Sequence, residues 1–145
     1  MSARSKVPLI ARTLLGLAFL VFALNFFLHF LPQPVPPPDV MAFVGALMTG
    51  KILLIIKIAE LVAAVFLLSN RFVPLALTLL APVEIGILAF HGVFDPSGLP
   101  IIGVLVALTI YLAWAYRAAF APMLQARVEP TASDAATAAR HPVAV

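Results

Sequence analysis

The chain contains no cysteine among its 145 residues, and only 10% of them are charged. The first absence excludes disulfides, thiol redox chemistry and thiolate metal sites. The charged fraction is far below that of a soluble domain, which is about 25%. Hydrophobic residues make up 63% of the chain, and the mean hydropathy is +1.13. One soluble core cannot bury that much apolar surface, so the composition indicates a membrane protein.

The basic excess is small and dispersed. The net charge is +3, and the nine basic residues are scattered along the chain. Nucleic-acid binding needs a basic patch that follows a phosphate backbone, so we predict no nucleic-acid partner. The sequence also has no glycine-rich phosphate loop, nucleophile elbow or HExxH motif. The polar residues inside the apolar segments therefore carry the functional information.

Four apolar segments are long enough to cross a bilayer core, which takes about 20 helical residues. They cover residues 13–31, 51–69, 74–91 and 100–117. A cleaved signal peptide is the alternative for the first segment. Its apolar run is longer than that of a signal peptide, however, and no small-residue cleavage site follows it. A shorter apolar stretch, Val40 to Met48, predicts a helix that lies at the membrane interface.

These segments predict an all-α integral membrane fold, a bundle of four transmembrane helices with a short interfacial helix between spans 1 and 2. The predicted transmembrane domain covers residues 1–124. Residues 125–145 are polar and alanine-rich, and they are expected to form a disordered tail on the cytoplasmic side.

The basic residues predict the orientation of the spans. Seven lie on one side of the predicted membrane, whereas the opposite loops contain Asp39 and Asp95, with Lys51 as the only basic residue nearby. The positive-inside rule then places both termini in the cytoplasm. The seven residues are Arg4, Lys6, Arg12, Arg71, Arg117, Arg127 and Arg140.

Polar side chains inside the spans are the candidate functional residues. At about 1.5 Å per helical residue, four of them share one depth, slightly outside the midplane. We predict that these four face inward as one polar cluster, with His29 and His91 above it toward the outer surface. The four are Asn25, Lys57, Glu60 and Glu84.

The chemistry of this cluster follows from the cost of burying charge. A charge at the bilayer centre costs at least about 3 kcal/mol, so these groups need partners or water. Lys57 can neutralise Glu60 or Glu84 but not both, so the other carboxylate must be protonated or hydrogen-bonded. We predict Glu84 and Glu60 as proton carriers and Lys57 as the balancing charge. The alternative is a structural ion pair that sets the helix register.

Ligand binding is expected at Asn25, His29 and His91, which lie around these charges. Two histidines on different helices can also ligate a haem, or a metal together with Asp95. Histidines near a membrane interface are more often polar helix ends. We therefore predict no metal site.

Four stretches carry a family resemblance, and within them the hinge NRFVPLAL and the loop FDPSGLP are more than hydropathy. The stretches are ARTLLGLAFLVFALNFF (11–27), KILLIIKIAELVAAVFLL (51–68), NRFVPLALTLLAPVEIGILAFHGVFDPSGLP (70–100) and YLAWAYRAAFAPML (111–124). Together they resemble the DoxX family of small bacterial four-span membrane proteins. The resemblance covers about residues 8–124. It implies a compact four-helix bundle in the bacterial cytoplasmic (inner) membrane.

The family takes its name from a subunit of a thiosulfate:quinone oxidoreductase. The resemblance therefore implies quinone as the ligand and a redox or respiratory protein as the partner, with the polar cluster binding the quinone headgroup or handling its protons. Two other functions stay open: a non-catalytic accessory subunit of a larger membrane complex, and a small transporter or lipid-binding protein. Four short helices bury little area against one another, which also favours a homo-oligomer.

Overall fold

The computed structural model describes residues 3–32 and 35–128, with side chains from residue 6 onward. Within these ranges the chain forms helices and no strand. Of the tail predicted over residues 125–145, only 125–128 are described, and they are not helical; the rest lies outside the described residues. The α-helices are α1 (Ala3–Leu28), α2 (Pro38–Thr49), α3 (Ile52–Ser69), α4 (Val73–Val93), α5 (Leu99–Ala115) and α6 (Arg117–Phe120), with 3-10 turns at Pro96–Gly98 and Ala121–Leu124.

Four of these segments are long and apolar enough to cross a membrane, which confirms the predicted number of spans. They are Lys6–Leu28, Ile52–Ser69, Val73–Val93 and Pro96–Ala115. The α2 helix is apolar but shorter, as its sequence predicts. The chain is therefore a multi-pass membrane protein. We name the two ends of the helix bundle by what they contain. The α2 end contains α2 and the loop between α4 and α5. The terminal end contains Lys6, the α3–α4 turn and Arg117.

The first helix differs from the prediction at both ends. It begins at Ala3 rather than Thr13, because a charged side chain limits contact with lipid but does not interrupt backbone hydrogen bonding. It ends at Leu28, because His29 adopts a left-handed conformation with φ of 52°. The side-chain oxygen of Asn25 then accepts a 2.7 Å hydrogen bond from the backbone nitrogen of Leu31.

The turn between α3 and α4 is tight, as the Asn-Arg pair predicts. Asn70 ends α3 in the left-handed conformation with φ of 57°. Its backbone nitrogen donates to Leu67 O, and that of Arg71 donates to Phe66 O. This pattern is a Schellman motif, which satisfies carbonyl groups that a helix C-terminus would otherwise leave free. The motif makes α3 and α4 antiparallel neighbours.

The four long helices contact one another in a ring: α1 packs on α3 and α5, and α4 also packs on α3 and α5. The helices α1 and α3 approach closely at Gly16, where a Cβ atom would lie 2.9 Å from Leu68 Cγ and 3.2 Å from Leu67 Cβ. Small residues allow such an approach between membrane helices. The core between the helices includes Leu15, Phe19, Leu67, Leu80 and Leu112, all fully buried.

The α2 helix lies against the end of the bundle. It packs on α3, and its Phe43 ring stacks on Phe94 at 5.2 Å and on Phe90 at 6.0 Å between centroids. Both of these rings belong to the C-terminal end of α4. These contacts anchor α2 across α3 and α4 at the α2 end.

Candidate functional site

Lys57 and Glu60 form a bidentate ion pair on α3. The Lys57 Nζ atom lies 2.9 Å from Oε1 and 2.8 Å from Oε2 of Glu60. Their spacing of three residues places both side chains on one helix face. The side chain of Glu60 is 1% exposed and that of Lys57 is 18% exposed. Since one ammonium group occupies both carboxylate oxygens, the pair is neutral and closed.

Glu84 on α4 has a different partner. Its side chain is buried, with the residue 5% exposed, and its Oε1 accepts a 2.7 Å hydrogen bond from Thr109 Oγ1 on α5. Within the described chain, no hydrogen bond or ion pair joins Glu84 to Lys57 or Glu60. The hydrogen bonds therefore group the buried polar residues as two pairs, Lys57 with Glu60 and Glu84 with Thr109.

The second carboxylate oxygen of Glu84 is available to a ligand. Oε2 has no hydrogen-bond partner in the described parts of the chain. Every described side-chain oxygen or nitrogen atom that is sealed from the surface has a hydrogen-bond partner. Oε2 is therefore reached from the surface of the protein.

A groove between α4 and α5 is lined by Glu84. Its volume is about 190 Å³, and Glu84 and Thr109 supply its polar groups. Ile85 and Ile110, which are 68% and 65% exposed, stand beside it. The groove therefore opens sideways onto the apolar outer surface of the helices. The remaining walls are Ala81, Leu88 and Val106.

The groove lies near the middle of the span. Glu84 is eleven residues from the first residue of α4 and nine from the last. At about 1.5 Å per residue, both ends of the helix are comparably distant. A ligand at Glu84 must therefore enter from within the apolar layer, which requires a lipid-soluble molecule.

Asn25 and His29, both predicted to bind ligand, belong to the C-terminal turn of α1. Asn25 is buried, and its oxygen is taken by the backbone nitrogen of Leu31. His29 is exposed in a left-handed conformation. The structure shows no hydrogen bond from either described side chain to Lys57, Glu60 or Glu84.

His91 contacts the loop between α4 and α5. Its Nδ1 lies 2.9 Å from Asp95 O and 3.2 Å from Asp95 Oδ2. A Cβ atom on Gly98 would clash with the imidazole, so only glycine fits there without displacing it. The Asp95 carboxylate also accepts a hydrogen bond from Ser97 Oγ, which lowers the pKa of Asp95. In the described chain, no three histidine, aspartate or glutamate residues are grouped to hold a metal.

Two polar residues of the structure were not among the predicted sites. Thr109 was missed because a threonine in a membrane helix can satisfy itself on its own backbone, as Thr78 does on Pro74 O at 2.9 Å. Arg12 was interpreted as a flanking charge. It is instead 6% exposed, and its Nη1 donates a 2.6 Å hydrogen bond to Leu67 O. Arg12 and Gly16 are four residues apart and therefore lie on one face of α1. This spacing is the one sequence signal that Arg12 faces α3.

Comparison with known protein families, characterised proteins and solved structures finds no significant match to this chain. Function therefore has to follow from its own residues. They define a four-span membrane protein with a closed ion pair on one helix and an accessible carboxylate in a lipid-facing groove.

Proposed function

We propose that this chain is a DoxX-like four-helix membrane protein that binds the headgroup of a quinone or quinol in the groove between α4 and α5. The observation that carries the proposal is the environment of Glu84, which lines the groove: Thr109 donates a hydrogen bond to one carboxylate oxygen, and the other oxygen is not sealed from the surface. Ionisable residues at membrane depth are generally functional.

The chemistry of Glu84 suits both forms of such a ligand. An ionised carboxylate accepts a hydrogen bond from a quinol hydroxyl, and a protonated one donates to a quinone carbonyl. The hydrogen bond from Thr109 orients the carboxyl group toward the ligand. Because Lys57 occupies both oxygens of Glu60, the proposal retains Glu84 alone as the proton carrier.

The size of the groove agrees with a headgroup rather than a whole molecule. Pockets that enclose a drug-sized ligand have volumes of about 300–1,000 Å³, whereas this groove has about 190 Å³. A single ring enters it, and the hydrocarbon tail lies along the exposed surface beside Ile85 and Ile110. In this proposal the chain is the quinone-binding subunit of an oxidoreductase, and a respiratory protein partner donates two electrons to the bound quinone or accepts two electrons from the bound quinol.

Replacing Glu84 by glutamine is expected to weaken quinol binding about 10- to 150-fold, because the hydrogen bond to a charged acceptor is lost. Glutamine keeps the shape of the side chain but cannot ionise. The measurement is a titration of the full chain in lipid nanodiscs with a short-tailed quinol and, separately, its quinone. A folded Glu84→Gln variant that binds quinol like the wild type would contradict the proposal.

A matched pair of threonine variants controls for the loss of a hydroxyl group. Thr109→Val removes the group that orients Glu84 and is expected to weaken quinol binding several-fold. Thr78→Val makes the same change on α4, where the hydroxyl bonds only to its own helix, and it should leave affinity unchanged. Binding of a lipid with a hydroxyl headgroup in place of the quinol would favour a lipid-binding function.

We propose the bacterial cytoplasmic membrane as the location, with both termini in the cytoplasm, because exposed basic residues lie at the terminal end. The cysteine-free chain allows a direct test. In intact cells, a membrane-impermeant thiol reagent is expected to label Ser97→Cys and not Ser69→Cys, while both should react after permeabilisation. Labelling of Ser69→Cys alone in intact cells would contradict the proposed orientation of the spans.

A further inference from the structure

A second groove lies at the terminal end, between the beginning of α1 and the end of α5. We call it the terminal groove. Its volume is about 560 Å³, larger than that of the groove at Glu84. One wall is apolar and belongs to α1, and the other is aromatic and ends in a basic residue. Its lining residues are Val7, Pro8, Tyr111, Trp114, Ala115 and Arg117.

Arg117 presents a guanidinium group to this groove that no described acidic residue neutralises. Its Nη1 donates a 3.1 Å hydrogen bond to Trp114 O, and its Cζ lies 4.8 Å from the centroid of the Trp114 ring. These two contacts, one of them a cation–π interaction, position the guanidinium group. No carboxylate in the described chain forms an ion pair with it.

Among the described residues, the charge around the terminal groove has one sign. Lys6, Arg71 and Arg127 are exposed at the same end as Arg117. The described acidic residues lie elsewhere, with Asp39 and Asp95 at the α2 end and the two glutamates inside the spans. This end therefore attracts anions, and its aromatic residues are of the kind that lie at the level of lipid headgroups.

We propose that the terminal groove is a binding site for an anionic phospholipid. The phosphate accepts hydrogen bonds from Arg117, and the acyl chains follow Val7, Tyr111 and Ala115 into the bilayer. A net negative headgroup matches the unneutralised guanidinium group. The apolar walls continue into the exposed apolar surface, which favours a lipid over a soluble phosphate. This proposal does not depend on the function proposed for Glu84.

The only tryptophan of the chain, Trp114, lies in this groove, so its fluorescence reports directly on the site. The full chain is reconstituted in vesicles that contain equal fractions of brominated phosphatidylglycerol or brominated phosphatidylcholine. Bromine quenches tryptophan only at short range, and we expect the anionic lipid to quench Trp114 more strongly. Arg117→Gln should reduce this preference about fivefold, which corresponds to about 1 kcal/mol for one basic residue near the membrane surface.

The matched control is Arg71→Gln. Arg71 is exposed at the same end, but it lies in the α3–α4 turn, and α3 is diagonal to α5 in the ring of helices. This variant should keep the wild-type preference. Arg117→Lys retains the charge and should keep most of it. If the lysine and glutamine variants lose the preference equally, the charge does not select the lipid and the proposal is wrong.

Two further results would overturn the proposal. One is equal quenching of the wild type by the two brominated lipids. The other is a saturable change in Trp114 fluorescence when inorganic phosphate is added to the protein in lipid-free detergent, which would assign the groove to a soluble anion.

Discussion

Replacing Lys57 by methionine is expected to destabilise the protein by about 3–5 kcal/mol, because the change leaves a buried carboxylate without its partner. Glu60 is 1% exposed, and both of its oxygens bind the Lys57 ammonium group. Methionine has an unbranched apolar side chain only one atom shorter than that of lysine, so the loss reports mainly on charge. The measurement is the free energy of unfolding in mixed detergent micelles.

A double-mutant cycle distinguishes the observed pair from a single polar cluster. Adding Glu60→Gln to Lys57→Met should recover part of the lost stability, because the unpaired charge is then removed as well. Adding Glu84→Gln to Lys57→Met should give additive losses, since no hydrogen bond or ion pair joins the two side chains in the described chain. Coupling of Lys57 to Glu84, with none to Glu60, would contradict the pairing.

The Arg12→Met variant is expected to lose about 1.5–3 kcal/mol of stability, the usual contribution of a hydrogen bond to a charged group. Arg12 is buried and donates to Leu67 O in the last turn of α3. The partial negative charge of a helix C-terminus stabilises a cation at this position. The bond links α1 to the end of α3, where the turn to α4 begins.

Arg71→Met is the matched control for Arg12→Met. Arg71 is exposed in the α3–α4 turn, and its side chain forms no hydrogen bond or ion pair with the described parts of the chain. Its replacement should change the free energy of unfolding by no more than about 0.5 kcal/mol. Equal losses for the two variants would mean that the Arg12 hydrogen bond contributes nothing.

Pairs within one helix were predictable from the sequence. Lys57 and Glu60 are three residues apart, so helix geometry alone brings them together on one face. His91 and Asp95 are four residues apart, and His91, near the end of α4, contacts Asp95 in the loop that follows the helix. The functional roles predicted for Lys57, Glu60 and His91 stay predictions, because the contacts show only which groups these side chains bind.

The partner of Glu84 was not predictable, because it comes from another helix. All sides of α5 are apolar, so its sequence does not show which side faces α4. Whether Thr109 meets Glu84 depends on the rotation of both helices about their axes. Arg12 illustrates the same limit, since its acceptor is a backbone carbonyl fifty-five residues away.

The sequence by itself determined the class of the protein, the number of spans, the short α2 helix and the turn at Asn70. These features depend on apolar length relative to bilayer thickness and on local backbone preferences, which neighbouring residues specify. Only the tertiary structure decided that Glu84 pairs with Thr109 on another helix while Glu60 pairs with Lys57 on its own. The reason is that the lateral packing of α4 and α5 and their rotation about their axes are set by close contacts between residues far apart in the chain, which the sequence of either helix does not specify.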